Sequence, residues 1–480
     1  MHIRGSMLDS GSADHLKKRN NDMVHQYKLN GYNIVLDSES GSVHTVDDVA
    51  YDIIGMYEDS SRDEIVDAIT GRYDDITAQD VDETIEDIEE LKKQGKLFTR
   101  DLFSGQAALF KQRQSVVKAL CLHVAHACNM TCGYCFAGKG EYHGEKAIMS
   151  YEVGRRALDW LVENSGTRTN LEVDFFGGEP LLNFDVVKQL VAYGRSIEKE
   201  AGKNFRFTLT TNGMLLDDEV IEFANREMSN VVISLDGRKC VNDKMRRTHE
   251  NQGTYDMILP AFKKLAESRN QQDYYVRGTY THYNTDFASD IIHMADLGFK
   301  ELSIEPVVAP PDAPYALQED DIPKLLSEYE RLATEMLERK REGKGRDFTF
   351  YHYMIDLEGG PCIVKRISGC GVGTEYVAVT PSGDLYPCHQ FVGDEKFLLG
   401  NIYDGITNDS ICDDFKSCNI YSHEECSDCF AKLYCSGGCA ANAYHTTGSI
   451  TGVYETGCEL HKKRIECAIM LKVAEMCEEL

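Results

Sequence analysis

The chain has 480 residues, enough for roughly two to four domains, and a formal net charge of −28 from 51 basic and 79 acidic side chains. Such an acidic chain binds nucleic acids and anionic membranes poorly, so we expect neither as a partner. It has 17 cysteines, no apolar run of transmembrane length and no signal-peptide pattern, which favours metal-bound thiolates in the cytoplasm over disulfides.

Residues 25–105 are predicted to form a small acidic module. Tyr27–Leu36 and Ser42–Val46 have the composition of strands, separated by the turn residues 37–41. Lys96–Thr99 is predicted to return as a closing strand. The predicted helices cover residues 48–56, 63–73 and 78–94. Together these elements predict a winged-helix-like module.

Three cysteines stand close together after this module. Cys128, Cys132 and Cys135 have the spacing C-x3-C-x2-C. A [4Fe–4S] cluster normally takes four cysteine ligands, so three ligands leave one iron open for a small molecule. Residues 118–125 are predicted to form a buried strand, which places the cysteines on the loop that follows it. Structural cysteines or a zinc site are the alternative interpretation.

Residues 117–310 alternate predicted strands with predicted helices. Repeated strand–helix units predict a parallel sheet, and their number suits a partial (β/α)6 barrel. The chemistry of such barrels lies at the C-terminal ends of the strands. The predicted strands are Leu120–His123, Leu171–Phe176, Arg206–Thr211, Asn230–Leu235, Tyr274–Thr281 and Glu301–Val307.

Polar or glycine-rich segments accompany several of these strands. Gly177, Gly178, Glu179 and Pro180 directly follow the second strand. Glycines let a ligand approach the backbone, and carbonyls with Glu179 can accept hydrogen bonds from an ammonium group. An ordinary strand–helix turn is the alternative. Ser234 near the fourth strand end and Arg277 within the fifth strand are further candidates, with ordinary surface roles equally open.

The C-terminal part is rich in cysteine. We predict a helical bridge over residues 311–359 and a cysteine-rich domain over residues 360–477. Cys370 is followed by Gly383-x4-Cys388, and then by a C-x2-C-x5-C-x3-C run and one further cysteine. A zinc ribbon is the rival interpretation of that run. The run and the later cysteine are Cys426, Cys429, Cys435, Cys439 and Cys458.

The cysteine loop resembles that of radical S-adenosylmethionine (radical SAM) enzymes, whose motif is C-x3-C-x-aromatic-C, with Tyr134 at the aromatic position. The resemblance implies that the open iron binds S-adenosylmethionine and that an electron from the cluster cleaves it to a 5′-deoxyadenosyl radical. It also implies that Gly177-Gly-Glu-Pro180 binds the cofactor's amino group. Ser234 is then expected at its ribose or carboxylate, and Arg277 at its carboxylate.

The C-terminal cysteines resemble the seven-cysteine pattern of the SPASM extension, which binds two auxiliary [4Fe–4S] clusters. The resemblance implies an inner cluster on Cys370, Cys388 and Cys439. Its fourth ligand stays open: either Cys362 binds, or one iron is free for a substrate thiolate. The implied ligands of the outer cluster are Cys426, Cys429, Cys435 and Cys458. With the cysteine loop, this predicts three [4Fe–4S] clusters.

The run Cys388-His-Gln-Phe-Val-Gly393 resembles maturases of the "six cysteines in forty-five residues" precursor peptides. These enzymes join cysteine sulfur to an α-carbon in sactionine links. The resemblance implies a cysteine-rich precursor whose leader binds the N-terminal module, and a reductant such as flavodoxin or ferredoxin. A sulfatase-maturing enzyme and a non-catalytic iron–sulfur protein are the alternatives. No general base is assigned, although His389, Tyr386 and Glu375 lie near a predicted cluster loop.

Overall fold

The computed structural model describes residues 24–106, 116–138, 140–142, 144, 146–344, 348–357, 359 and 362–478. These residues divide into two compact units. The first contains Asn33–Leu102, Asp428–Phe430 and the described part of Met1–Tyr27. The second contains Lys28–Tyr32 and the described parts of Phe103–Ser427 and Ala431–Leu480. The four domain boundaries expected from the sequence stay predictions.

The N-terminal module contains a three-stranded sheet and three helices. The strands are β1 (Val24–Leu29), β2 (Tyr32–Asp37) and β3 (Ser42–Val46), with β2 in the centre. The helices are α1 (Asp48–Met56), α2 (Arg62–Arg72) and α3 (Ala78–Lys93). Each helix begins after a residue whose side chain accepts a backbone hydrogen bond, a favourable N-terminal cap. The three caps are Asp47, Ser61 and Thr77.

Two strand predictions for this module are wrong. The segment predicted as one strand, Tyr27–Leu36, is a hairpin, because Asn30 and Gly31 have φ angles of 50° and 84° that turn the chain. The segment Lys96–Thr99 is not a strand. Its Thr99 amide instead donates a hydrogen bond to the Asp37 carboxylate at 2.9 Å, which closes the module through a side chain.

The second unit contains the predicted parallel sheet. It begins with β4 (Ala119–His126), which pairs antiparallel with the short β5 (Ala147–Ile148). Parallel strands follow in spatial order after β4: β6 (Asn170–Gly177), β7 (Asn204–Thr211), β8 (Met228–Ser234), β9 (Tyr274–Tyr280) and β10 (Glu301–Pro306). The intervening helices are α4 (Tyr151–Asn164), α5 (Phe184–Ala201), α6 (Asp218–Glu227), α7 (Lys239–Met245), α8 (Tyr255–Ser268) and α9 (Phe287–Asp296). The α/β fold class with a partial barrel is confirmed.

The barrel strands alternate between two faces, as the pleat requires. On β6, Val173 and Phe175 are buried, and the ring of Phe175 stacks on Phe207 with centroids 5.6 Å apart. The neighbouring side chains Asp174 and Phe176 point to the opposite face and are half-buried. We call that inner face of the partial barrel the lumen.

Further strands extend the sheet on both sides. β11 (Thr349–Phe350) lies parallel to β10. β12 (Tyr376–Val379) lies parallel to β4 and continues into the antiparallel strands β13 (Asp384–Tyr386), β14 (Gly400–Asn401) and β15 (Gly405–Ile406). The remaining helices are α10 (Ile322–Arg339), α11 (Ile363–Ser368), α12 (Asp409–Ser417), α13 (Lys432–Cys435), α14 (Ala440–Thr447) and α15 (Glu455–Cys477). Of the helices in the described ranges, none combines the length and apolar character needed to cross a bilayer.

Candidate metal centre and cofactor pocket

The loop after β4 brings Cys128, Cys132 and Cys135 together. All three thiols are half-buried. Burial is the main cause that raises the pKa of Cys128 to about 12, and the charges of Glu179, Cys132 and Cys135 act in the same direction. A bound metal would deprotonate such a buried thiol. The arrangement therefore fits the predicted cluster ligands, whose role stays a prediction.

Backbone contacts with a second loop hold this loop in place. The amide of Thr131 donates to the carbonyl of Arg247 at 2.7 Å, and the amide of Gly133 donates to the carbonyl of Met245 at 2.8 Å. Met130 also forms an isolated bridge with Thr248. The loop is thus fixed from the side of α7.

Glycines allow the strand end of β6 to pack on the cysteine loop. A Cβ atom on Gly178 would lie 2.1 Å from the carbonyl oxygen of Ala127. One on Gly140 would lie 2.8 Å from the Gly178 Cα and 2.9 Å from the Cys128 Cβ. Any larger residue would push the two segments apart. These glycines allow two protein segments to pack closely, and the expected approach of a ligand to Gly177 and Gly178 stays a prediction.

Glu179 is fully buried, and both of its carboxylate oxygens accept hydrogen bonds from other groups of the protein. One oxygen accepts hydrogen bonds from the Thr211 hydroxyl at 2.8 Å and the Leu181 amide at 3.1 Å, and the other accepts from the Asn212 amide at 2.8 Å. Burial raises the pKa of Glu179 to about 6, against the lowering effect of these hydrogen bonds. Pro180 follows as the first residue of a short 3-10 turn. The observed contacts make Glu179 a link between the ends of β6 and β7, and its contact with a cofactor ammonium stays a prediction.

A polar cluster beside Cys132 joins Tyr134, which the sequence singled out, to Arg246, which it did not. The Tyr134 hydroxyl donates to the Asp236 carboxylate, with oxygen distances of 2.7 and 2.9 Å, and accepts from Nη1 of Arg246 at 3.0 Å. Burial raises the pKa of Cys132, and the charge of Arg246 opposes that rise. The buried Nε of Arg246 has no hydrogen-bond partner in the described part of the chain. This buried cation suits a site of anionic thiolates, although no motif in the sequence marks it.

A hydrogen bond also reaches a predicted metal ligand directly. The side-chain amide of Asn212 donates to the Cys128 sulfur at 3.5 Å and to Asn129 Oδ1 at 2.8 Å. Such donors to a ligand sulfur are one of the means by which a protein tunes an iron–sulfur cluster.

Ser234 and Arg277 are brought together at the lumen. They are Cα partners in the register of β8 with β9. Ser234 is half-buried, and the exposed Arg277 has no ion pair with any residue that the structure describes. Burial would raise the pKa of Glu305, but the charges of His352, Arg464 and, to a smaller extent, Arg277 lower it. An unpaired guanidinium beside a hydroxyl can hold a carboxylate, in agreement with the predicted task.

The three predicted inner-cluster cysteines are neighbours in the C-terminal region. Burial raises the pKa of Cys388 to about 12, and the nearby thiols Cys439 and Cys370 add to the rise. Cys362 is exposed at the start of α11. Burial raises the pKa of Cys418 to about 12, and the nearby Cys370, Cys439 and Cys426 thiols add to the rise. The cysteine patterns of the sequence assign Cys418 to neither cluster.

The predicted outer-cluster cysteines are spread over short elements. Cys426, Cys435 and Cys458 belong to the second unit, and Cys429 belongs to the first. Over the described ranges, no three His, Cys, Asp or Glu side chains are close enough to share one metal ion.

One aromatic cluster contains residues next to the cysteine loop, the glycine-rich end of β6 and Cys388. Phe136 follows Cys135, Phe176 precedes Gly177, and His389 follows Cys388. The His389 ring lies 5.7 Å from the Phe136 ring and 5.1 Å from the Phe176 ring, measured between centroids. The cysteine loop, the glycine-rich strand end and the Cys388 loop therefore converge at one end of the lumen.

Three family models match the chain. Residues 122–297 match the radical SAM superfamily, and residues 370–430 match the SPASM iron–sulfur cluster-binding domain. The chain is a radical SAM/SPASM protein. Residues 33–95 of this radical SAM/SPASM protein match coenzyme PQQ synthesis protein D (PqqD). These domains imply [4Fe–4S] clusters and S-adenosylmethionine, and they confirm the family resemblance seen in the sequence.

Curated relatives cover most of the chain at low identity. The cysteine-type anaerobic sulfatase-maturating enzyme of Clostridium perfringens (strain 13 / Type A) is 26% identical over 340 residues, which cover 65% of this chain and 85% of that enzyme. The radical SAM cyclopropyl synthase TigE of Paramaledivibacter caminithermalis is 20% identical over 375 residues, 72% of each chain.

Solved structures support the fold of the radical SAM/SPASM protein. The anaerobic sulfatase-maturating enzyme anSMEcpe with bound AdoMet matches 75% of this chain and 95% of its own, with a TM-score of 0.63 and 21% identity. Streptococcus suis SuiB bound to S-adenosylmethionine matches 90% of this chain and 98% of its own, with a TM-score of 0.50 and 18% identity.

Proposed function

We propose that this radical SAM/SPASM protein installs sactionine crosslinks in a ribosomally made, cysteine-rich precursor peptide. The observation that carries the proposal is the convergence of Phe136, Phe176 and His389, because it brings the three candidate loops to the same end of the lumen. A peptide held there would have the cofactor on one side and the inner-cluster cysteines on the other.

Three [4Fe–4S] clusters are part of the proposal. The radical cluster is assigned to Cys128, Cys132 and Cys135, and the inner auxiliary cluster to Cys370, Cys388 and Cys439. The outer auxiliary cluster is assigned to Cys426, Cys429, Cys435 and Cys458. When bound, the radical cluster and S-adenosylmethionine supply a carbon radical able to remove a hydrogen atom from the substrate. A small reductant such as flavodoxin or ferredoxin would supply the electron.

The chain's own residues position the reactants. The unpaired guanidinium of Arg277 and the Ser234 hydroxyl beside it would hold the cofactor carboxylate. Backbone carbonyls of Gly177 and Gly178 would face its ammonium group. Arg246 would stabilise negative charge near Cys132. Correct positioning of a thiol and a carbon radical within reach of one another accelerates their bonding strongly.

The N-terminal module would bind the leader of the precursor. In its sheet β2 is central, so β1 and β3 are the edge strands of the described module. An edge strand can accept a peptide as an added strand through main-chain hydrogen bonds. The match to PqqD over residues 33–95 and the peptide-bound SuiB structure in the comparison support this assignment.

The acidic face of α3 gives weaker information about the leader. Asp82 and Glu86 pair with Arg62, and Asp80 caps the helix through Thr77. Arg62 compensates only part of this acidic charge, so the face would still favour a basic leader over an acidic one.

A second function is favoured by the relatives. The sulfatase-maturating enzymes cover most of this chain, and oxidation of a cysteine or serine on a protein would use the same clusters. The N-terminal module favours the peptide crosslinking reaction over this one.

One experiment separates these functions. The reconstituted enzyme is incubated with S-adenosylmethionine, a reductant and a cysteine-rich precursor peptide that is deuterated at the α-carbons. Crosslinking would remove two hydrogens per bond and carry deuterium into 5′-deoxyadenosine. Conversion of cysteine to an aldehyde would favour the sulfatase-maturing activity instead. Absence of 5′-deoxyadenosine would leave a non-catalytic iron–sulfur protein.

A further inference from the structure

Asp174 has a carboxyl group in the lumen, and the proposed function assigns it no role. It lies on β6, three residues before Gly177, with Cys121 and Thr208 as its Cα partners on the flanking strands. The Thr210 hydroxyl donates to its Oδ1 at 3.1 Å. Within the described ranges it forms no ion pair with any basic side chain. It thus faces the space assigned to the substrate and has one fixed hydrogen bond.

The surroundings of Asp174 raise the pKa of its carboxyl group. Enclosure in the lumen raises its pKa to about 7, and the Thr210 hydrogen bond and the Arg277 charge oppose the rise. The other titratable groups that face it are Cys121, Tyr142 and Tyr376, whose own pKa values burial raises well above their usual range. They stay neutral, so Arg277 is the charged group that acts on Asp174. A base with a pKa near the working pH is well suited to proton transfer.

The proposed reaction releases a proton that no assigned residue accepts. A free cysteine thiol has a pKa of about 8.5 and is mostly protonated at neutral pH, whereas the thiolate is the reactive form. Crosslinking removes a hydrogen atom from the α-carbon and a proton from the sulfur. The hydrogen atom goes to 5′-deoxyadenosine, the sulfur–carbon bond forms, and an oxidised iron–sulfur cluster takes up the remaining electron.

We propose that Asp174 is the catalytic base that accepts the thiol proton of the substrate cysteine. This inference rests on the proposed crosslinking function and adds a residue to it. It holds whether or not the thiolate then binds the inner cluster, because the proton must leave the sulfur in either case. The fixed hydrogen bond from Thr210 leaves the second oxygen of Asp174 to face the substrate.

The test replaces Asp174 by asparagine, which has nearly the same shape and can still accept from Thr210. The matched control is Glu172→Gln. Glu172 lies on the same strand and face but pairs with Arg206 at 3.2 Å, and its side chain is 44% exposed. Two quantities are followed for each enzyme as pH varies: deuterium transfer from the α-deuterated peptide into 5′-deoxyadenosine, and crosslink formation.

For Asp174→Asn we expect deuterium transfer to continue while crosslinking at about pH 7 falls by roughly 100-fold or more. The rate of crosslinking by the wild type should rise with pH through about 7. The rate for Asp174→Asn should rise only as the pH approaches the thiol pKa of about 8.5. Glu172→Gln should behave like the wild type.

Two outcomes would overturn the proposal. A variant with the wild-type crosslinking rate and pH profile would show that Asp174 is not the base. Equal losses of deuterium transfer and crosslinking would show that it only supports the structure of the lumen. A wild-type enzyme that transfers deuterium without making a thioether would refute the proposed function itself.

Discussion

The ammonium group of Lys118 lies 2.8 Å from the carboxylate of Glu375, although 257 residues separate them in the chain. Lys365 donates to the same carboxylate at 2.8 Å. Glu375 is buried, and it joins the residue before β4 to the residue before β12. Glu375, to which the sequence assigned no role, therefore forms an ionic link within the second unit.

Replacement of Glu375 by glutamine should destabilise the second unit by about 2 kcal/mol, the range for hydrogen bonds to charged groups. Burial alone would raise the pKa of Glu375, but the hydrogen bonds from Lys118 and Lys365 outweigh it and lower the pKa to about 2. The stabilisation is therefore fully present above the unfolded pKa of about 4.3 and is lost as pH falls towards 2.

Urea denaturation followed by circular dichroism measures the free energy of unfolding of the wild type and of Glu375→Gln. The difference between the two should be the same at about pH 7 and about pH 5.5 and should shrink below about pH 4. The matched control is Glu219→Gln, because Glu219 pairs with Lys188 at 2.8 Å on the exposed surface. Glu219→Gln should change the free energy of unfolding little. Equal effects of the two substitutions would contradict the structural role of Glu375.

Simultaneous replacement of Cys128, Cys132 and Cys135 by alanine should abolish cleavage of S-adenosylmethionine. Reconstituted wild type should carry about twelve irons and the variant about eight, if each of three clusters has four. Iron analysis checks the two iron contents, and 5′-deoxyadenosine assays check the loss of cofactor cleavage. A variant that still produced 5′-deoxyadenosine would remove the basis of the assignment.

The fourth ligand of the inner cluster can be tested with a pair of variants. Burial and the nearby thiols of Cys370 and Cys439 raise the pKa of Cys418, whereas Cys362 lies exposed at the start of α11. We expect Cys418→Ser to lower iron content and change the electron paramagnetic resonance signal of an auxiliary cluster. Cys362→Ser should be nearly silent. The reverse result would favour Cys362, and two silent variants would favour an open iron.

Deletion of residues 1–105 should weaken binding of the full-length precursor and stop crosslinking, because the leader-binding sheet edges are lost. Cofactor cleavage without substrate should largely persist, since the cofactor residues all lie in later sequence. Fluorescence anisotropy with a labelled precursor measures the affinity.

A leader-only peptide provides the control for this deletion. It should compete with the labelled precursor on the full-length enzyme and have no effect on the shortened one. Unchanged affinity of the shortened enzyme would show that the leader is bound elsewhere.

The barrel strands could be predicted from the sequence because buried parallel strands are short apolar runs between helices. The observed Tyr274–Tyr280 and Glu301–Pro306 differ from their predictions by one residue at one end. The hairpin in the N-terminal module was missed because apolar residues flank Asn30-Gly31 on both sides, and the run was taken as one strand. The Asn-Gly pair was the available signal.

The candidate site was only partly predictable, for a physical reason. Cysteine spacing is a local property of the chain, so the motif residues could be named. Arg246, Asp174 and Cys418 acquire their environment from distant strands and loops, and no local pattern marks them. Glu179 could be named from its motif, but its hydrogen bonds to Thr211 and Asn212 depend on how β6 and β7 meet.

The parallel pairing of β12 with β4 has a consequence for the synthesis of the protein on the ribosome. Residues 119–122 are fully buried, and one edge of their strand is covered only by residues 376–379. During synthesis this apolar edge stays uncovered while more than half of the chain is made, and such an edge readily joins other chains. We therefore expect the nascent protein to depend on chaperones until its C-terminal region leaves the ribosome.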